Sequence, residues 1–419
     1  MGLIRLIGLM LLVGLGGCSQ EEKVVEPQPQ AQREAVLPLQ VSVSAPAFAD
    51  GTAPGTRAWV PPTGYYLYDD PALYGGISSY RNFSSLGSRA IDAFFTRESE
   101  PDPLHGRLRY VNSTGKWNYI VPDVMPEDIS AGTYYAYGYI PRDAADDAEI
   151  SPPYEATYSG GAVLTIKGMR AAGYDACVTI GARDGFSEDY DGDYTDQNAN
   201  DTYDDGTDTR TNRLQAGRFD FSLKRSEGAE NYLYLLFDHL CAQLELNLKV
   251  DEEYQKLRTI VVKELHLATS DGTNLTRKMD VTVILSANSS GANPIESVTY
   301  TPTSEEDTGT TIYASTEGTR LTTSFTDSRF LTHIMPQGVR NLVMTWKYDV
   351  YDTNTKDNPA GNRVRTDCTA TNVLPMSEAI YGFTQFERCK KYTVNVTVNP
   401  TYLYVMSDPD LDNPEMKVN

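Results

Sequence analysis

The chain has 419 residues, a formal net charge of -21 and a pI near 4.6, so a phosphate backbone would be repelled and nucleic-acid partners are disfavoured. At roughly 100 to 200 residues per domain, the length allows two domains with substantial cores. Twenty-eight tyrosines against twelve phenylalanines, with 32 glycines and 23 prolines, predict many short strands joined by turns, a mainly β chain.

Residues 2–17 are Gly, Leu, Ile, Met and Val with a single Arg5. The basic start and short apolar run suit a secretory signal better than a membrane span, which needs about 20 apolar residues. Leu15-Gly16-Gly17-Cys18 closes the run and resembles the bacterial lipoprotein signal, in which small residues admit the peptidase and the Cys18 thiol receives a diacylglyceryl group. The alternative is an ordinary signal with an incidental cysteine. A lipid adds about 0.8 kcal/mol per buried methylene and anchors without spanning. Ser19-Gln20-Glu21-Glu22 resembles the short surface-export signal of Bacteroidota lipoproteins. Segment 19–38, rich in Pro, Gln, Glu and Ala, reads as a flexible tether.

The pattern then changes. Leu39, Val41, Val43 and Ala45 alternate with Gln40, Ser42 and Ser44, which predicts a half-buried strand. Residues 46–56 form a Pro- and Gly-containing loop ending at Arg57, a natural tryptic site. Further strands are predicted at Gly64–Tyr68, Arg107–Val111, Trp117–Val121, Thr133–Ile140, Gly161–Ile166, Ala176–Ile180 and Arg218–Leu223. Tyr134 to Ile140 alternates only loosely, so its tyrosines are read as packing first and an exposed aromatic surface second. Segment 184–208 carries nine aspartates and one glutamate. Asp189, Asp191 and Asp193 have calcium-loop spacing, but Tyr194 and Asn200 stand where that pattern wants Gly and Glu, so a solvated acidic loop is expected and no metal is assigned. Asp408, Asp410 and Asp412 repeat the spacing with less room for later ligands.

A second domain opens after residue 225. Ala242, Leu244, Leu246, Leu248 and Val250 alternate with Gln243, Glu245, Asn247 and Lys249 in a clear strand. A helical turn at 251–256 is predicted before strands at Arg258–Leu267, Met279–Leu285 and Asn341–Tyr348. Tyr392, Val394, Val396 and Val398 make the next alternating strand, and Pro400 breaks it before Thr401–Met406. The expected organisation is 1–18 signal and lipid site, 19–38 tether, 39–225 first β-sandwich and 226–419 second.

Four cysteines remain beyond Cys18, none in a pair spaced for a zinc ribbon. Cys177 and Cys241 sit in apolar strand-like sequence and read as core. Cys368 and Cys389 flank an irregular segment in a disulfide-permissive compartment and could close a loop worth about 3 kcal/mol. The four histidines, His105, His239, His266 and His333, are widely spaced and read as structural or exposed. No nucleophile elbow, phosphate loop, dinucleotide fingerprint or zinc-protease helix is present, so neither an enzyme nor a cofactor is expected.

The order of these features resembles the fimbrillin family, subunits of Bacteroidales type V pili. The resemblance extends over most of the chain. It rests on Leu15–Cys18, the strand and Arg57 loop, Trp117–Tyr119 with Tyr134–Pro141, Phe237–Val250, and the ending Lys391–Val398, Asn399–Tyr404 and Asp408–Pro414. It implies two transthyretin-like β-sandwiches in tandem and export as an outer-membrane lipoprotein. It further implies removal of the N-terminal strand (Leu39, Val41, Val43, Ala45) by a trypsin-like protease at Arg57, and replacement of that strand by one from another pilus subunit. The function then expected is a shaft, tip or accessory subunit of an adhesive fimbrium, with a host or bacterial surface receptor. Val405–Asn419, broken by prolines and aspartates, suits a turn or capped end better than a donor strand. The rival from another class is a surface glycan-binding lipoprotein with tyrosine stacking platforms; a third, an extracellular hydrolase, would need two close carboxylates in a cleft.

Overall fold

The computed structural model describes residues 34–45, 48–51, 90–97, 100–111, 116–151, 161–171, 175–184, 216–224, 231–270, 275, 277–287, 293–303, 309–352, 363–399 and 415–418. Cys18, Arg57, the predicted strands Gly64–Tyr68 and Thr401–Met406, and both aspartate-spaced motifs lie outside them. The mainly β expectation holds: the described residues form 21 strands, two single-turn α-helices and two short 3-10 turns.

The first sheet contains β1 (Glu34–Ser44), β3 (Ile91–Arg97), β4 (Glu100–Val111), β5 (Lys116–Pro122), β6 (Gly132–Ile140), β9 (Cys177–Asp184), β10 (Asp220–Leu223) and β11 (Tyr232–His239). Its strand order is β10-β6-β3-β4-β5-β1-β11-β9, and β6 also pairs with β9. That extra pairing, Tyr139 with Val178 and Ile140 with Cys177, joins the ends into a ring of seven strands. The ring is filled from its own strands: Leu39, Val41 and Val43 of β1 meet Phe95, Trp117, Tyr119, Leu233 and Phe237.

A four-stranded sheet packs on the outside of the ring, in the order β15 (Ile295–Pro302), β14 (Met279–Leu285), β8 (Ala162–Met169), β7 (Asp147–Ser151). Leu164, Ile166, Val281 and Val283 from this sheet share a core with Phe94, Tyr137, Tyr139, Val178 and Ile180 from the ring. β3 is therefore sandwiched. Phe95 points into the ring and Phe94 out to the second layer, so every side chain from Ile91 to Thr96 is buried. The tyrosines of β6 are packing, not a surface: Tyr134, Tyr137 and Tyr139 are buried.

The remaining strands make two facing sheets. One has the order β17 (Arg329–Ile334), β12 (Ala242–Val250), β20 (Lys390–Asn399), β2 (Ala49–Asp50), with β21 (Glu415–Val418) also on β20. The other runs β16 (Thr310–Arg320), β13 (Arg258–Thr269), β18 (Asn341–Asp352), β19 (Arg363–Pro375). Between them lie Leu244, Leu246 and Leu248 of β12, Val394, Val396 and Val398 of β20, and the stacked Trp346 and Tyr348, as the alternation of β12 and β20 predicts. α1 (Glu252–Gln255) starts where Asp251 accepts backbone bonds from Glu253 at 2.9 Å and Tyr254 at 3.3 Å, an N-cap that fixes the predicted helical turn.

Three features depart from expectation. β1 begins at Glu34, inside the segment predicted as tether, because Ala35 is buried in the ring and residues 34–39 pair with β5. The hydrogen-bonded sheets do not divide at residue 225. β11 completes the ring, and the β14–β15 hairpin returns to pair with β8 of the first unit. Finally, Glu415–Val418 is a strand rather than a turn, antiparallel to Val396–Asn399. It follows the last proline, Pro414, where nothing prevents ladder pairing.

Candidate functional site

β1 is the link that closes the ring. Its first half, Glu34 to Leu39, pairs antiparallel with Pro122 to Trp117 of β5, and its second half, Gln40 to Ser44, pairs parallel with Tyr232 to Leu236 of β11. Each half therefore uses a different neighbour, and among the described residues β1 is the strand that lies between β5 and β11 in the ring. The predicted face is the observed one: Leu39, Val41, Val43 and Ala45 are all buried, whereas Val36 is 42% exposed. Burying each Val or Leu stabilises by roughly 1.5 to 3 kcal/mol. Lifting β1 out would expose that apolar slot together with two unpaired strand edges.

Beyond Ala45 the N-terminal segment crosses to the other unit. Ala49 and Asp50 pair parallel with Lys390 and Lys391 of β20, anchored by Ala49 N donating to Cys389 O at 2.9 Å and Gly51 N to Lys391 O at 2.7 Å. A side chain at Gly51 would meet Lys391 O and the Tyr392 ring at 2.8 Å, so only glycine allows this approach. Phe48 stacks on the ring of His239 with centroids 3.8 Å apart.

His239 belongs to a buried polar knot where β11 turns into β12. His239 pairs in register with Cys177, and its Nδ1 donates to Asp175 Oδ1 at 2.8 Å. Cys177 Sγ lies 3.3 Å from the same nitrogen and 3.5 Å from Asp175 Oδ1, and the Cys241 thiol donates to that oxygen at 3.4 Å. Asp175, Cys177, His239 and Cys241 are all buried. Beside them Asp238, also buried, accepts from Arg388 at 2.7 Å and Asn293 at 2.8 Å, while Arg388 Nε donates to His239 O at 3.1 Å. Burial alone would raise the Asp175 carboxyl, but adjacent His239 holds it down at about 2. Burial, with Asp175 next to them, pushes the Cys177 and Cys241 thiols well up. Burial lowers His333.

The burial expected of Cys177 and Cys241 is found, but not their convergence with a carboxylate and an imidazole. The two short motifs Asp175-Ala176-Cys177 and His239-Leu240-Cys241 are the only sequence signal for it, and neither resembles a zinc-ribbon spacing. The suggested Cys368–Cys389 disulfide is not formed. Cys368 sits in β19 opposite Tyr348, in the sheet facing β20, while the Cys389 thiol donates to Asp238 Oδ1 at 3.2 Å and His239 O at 3.3 Å. A sulfur held in the knot by those bonds has no reach to the other sheet.

No family model matches the chain, and no curated protein matches it. Solved structures do. A candidate cell adhesion protein from Bacteroides uniformis aligns at 9% identity over 79% of this chain and 90% of its own, with TM-score 0.32. Another from Bacteroides fragilis aligns at 10% identity over 91% and 97%, also at 0.32. The C-terminally truncated tip fimbrial protein Mfa3 from Porphyromonas gingivalis aligns at 9% identity over 79% and 92%, with TM-score 0.25. Among the described residues no helix is long and apolar enough to cross a membrane.

Proposed function

We propose that this chain is a non-catalytic structural subunit of a surface fimbrium, a shaft, tip or accessory subunit serving adhesion, assembled by exchange of its N-terminal strand. The observation that carries the proposal is the position of β1, which joins β5 to β11 and contributes its apolar face to the middle of the ring. A strand so placed can be replaced by another of the same pattern, because ladder bonds accept any backbone and the slot asks only for small and medium apolar side chains at alternate positions.

On this scheme Cys18 carries the lipid that holds the precursor at the outer membrane, and a trypsin-like protease cuts after Arg57. The cut lies C-terminal to both β1 and the Phe48–Gly51 segment, so it severs everything from Glu34 to Gly51 at once. Cleavage at Arg33 would leave β1 in place. The emptied slot then receives a strand from a neighbouring subunit.

Limited trypsin digestion with N-terminal sequencing tests the scheme. A new terminus at Ala58, accompanied by oligomers or by capture of an apolar-alternating peptide, is the expected outcome, and Arg57→Ala should give neither. A folded monomer that resists cleavage at Arg57, or one that is cut there and keeps β1 without binding peptide, would overturn it.

A further inference from the structure

We propose that Asp175, Cys177, His239 and Cys241 form a closed tetrahedral site for a zinc ion in the seam between the ring and the facing sheets. The donor atoms of Asp175, Cys177 and His239 lie within 4.8 Å of one another, and the Cys241 sulfur stands beside them, 3.4 Å from Asp175 Oδ1. Asp175 and Cys177 stand at the start of β9, His239 and Cys241 at the turn from β11 into β12, and the register sets His239 opposite Cys177.

The geometry fits the ion. Zinc bonds sulfur at about 2.3 Å and nitrogen or oxygen at about 2.0 to 2.2 Å, which gives a tetrahedron with edges of roughly 3.3 to 3.7 Å. The edges on hand are 2.8 Å from His239 Nδ1 to Asp175 Oδ1, 3.3 Å from Cys177 Sγ to that nitrogen, and 3.5 Å and 3.4 Å from the Cys177 and Cys241 sulfurs to that oxygen. Admitting the ion would mean opening the Asp175–His239 edge by about half an ångström and turning the Cys241 sulfur in as the fourth ligand. Two sulfurs, one nitrogen and one oxygen form a donor set that suits zinc over calcium or magnesium, which take oxygen alone.

The same carboxylate has a second oxygen, which is satisfied only by an ion held on both oxygens. Asp175 is 2% exposed, and its Oδ2 has no hydrogen-bond partner. A buried carboxylate oxygen left unsatisfied is costly, and the neighbouring Asp238 shows the contrast, since Arg388 and Asn293 both reach its Oδ2. The surroundings also fix the imidazole. Phe48 stacks on its face, and Arg388 holds the His239 carbonyl. Binding would release the two thiol protons to solvent as the sulfurs become thiolates and free His239 Nδ1 of its proton, which moves to Nε2, leaving three ligand charges against the two of the ion.

The test uses the full chain, reduced, stripped with chelator and titrated with Co²⁺ as a spectroscopic stand-in for Zn²⁺. One cobalt per chain with the sulfur-to-metal charge-transfer band and the intense visible bands of a tetrahedral site, displaced by zinc, is expected. Cys177→Ala and Asp175→Asn should abolish those bands, while Cys368→Ala, in the far sheet, should keep them. If the variants fold poorly, the wild-type spectrum decides alone. Absence of a tetrahedral thiolate spectrum in the wild type, bands that survive in a folded Cys177→Ala, or a Cys177–Cys241 disulfide found by peptide mapping of the protein as exported would each overturn the assignment.

Discussion

At the scale of single residues, burial decides what the titratable groups do. Burial, followed by the charge of Asp92, pushes the Tyr119 phenol well above its ordinary value, and burial does the same to Tyr139 and Tyr300. Tyr392 is moved from 10.0 to about 12, again by burial, although Glu387 N donates to its oxygen at 3.1 Å. The sign follows from linkage. A phenol whose folded pKa lies above its unfolded value keeps its proton in the native state while the unfolded chain loses it, so folding is undisturbed below the unfolded pKa and weakens as pH rises from there. Between pH 10 and about 12 urea midpoints should therefore fall steeply, and near-ultraviolet absorbance should show buried tyrosines ionising together with unfolding. Smooth, non-cooperative tyrosine titration with an unchanged midpoint would contradict the burial of these four rings.

At the scale of elements, what water sees on each face determined how much could be read in advance. β14 and β20 each have one half-exposed face, and their alternation in sequence matches their burial, while β12 alternates in sequence although Gln243 and Asn247 on its polar face are buried too. β3 is buried on both faces and β16 has no fully buried position, so neither shows a period of two, and both went unpredicted. β1 lies between these cases. Its core face was legible from Leu39 onward, but Pro38 and the preceding Glu and Gln residues hid its first half, whose pairing with β5 is a long-range fact. The zinc ligands were illegible for the same reason: the Asp175, Cys177, His239 and Cys241 contacts span 62 to 66 residues. The two faces of β1 should respond differently to the same substitution. Val41→Asp puts a carboxylate into the ring and should cost on the order of 3 kcal/mol or more, with faster cleavage in the following loop. Val36→Asp, on the exposed face, should stay within about 0.5 kcal/mol. Urea titration compares them, and equal losses would mean that β1 is not seated by its apolar face.

At the scale of the whole molecule, one segment ties the two units together. Residues 34–44 close the ring, and a few residues later Phe48 covers the imidazole of the polar knot while Ala49 and Asp50 complete the edge of β20. Removing a tether would leave the rest untouched, but removing this segment should be felt in two separated places. Stability is not uniform across a structure, and amides exchange according to the cost of opening their own region. After the N-terminal segment is cut away, hydrogen exchange should accelerate in β5 at 117–122 and in β11 at 232–236, where ladder bonds to β1 are lost, and at Lys390 and Lys391 of β20. It should stay slow in β13 and β18, whose mutual pairing from Arg258 to Thr269 makes no use of the segment. Adding an apolar-alternating donor peptide should restore protection in β5 and β11. It should leave Lys390 and Lys391 fast, because a strand that fills the ring need not supply the Phe48–Gly51 crossing. Recovery at all three places would show that the slot and the β20 edge form one cooperative unit, and recovery at none would mean that the slot collapses when β1 leaves.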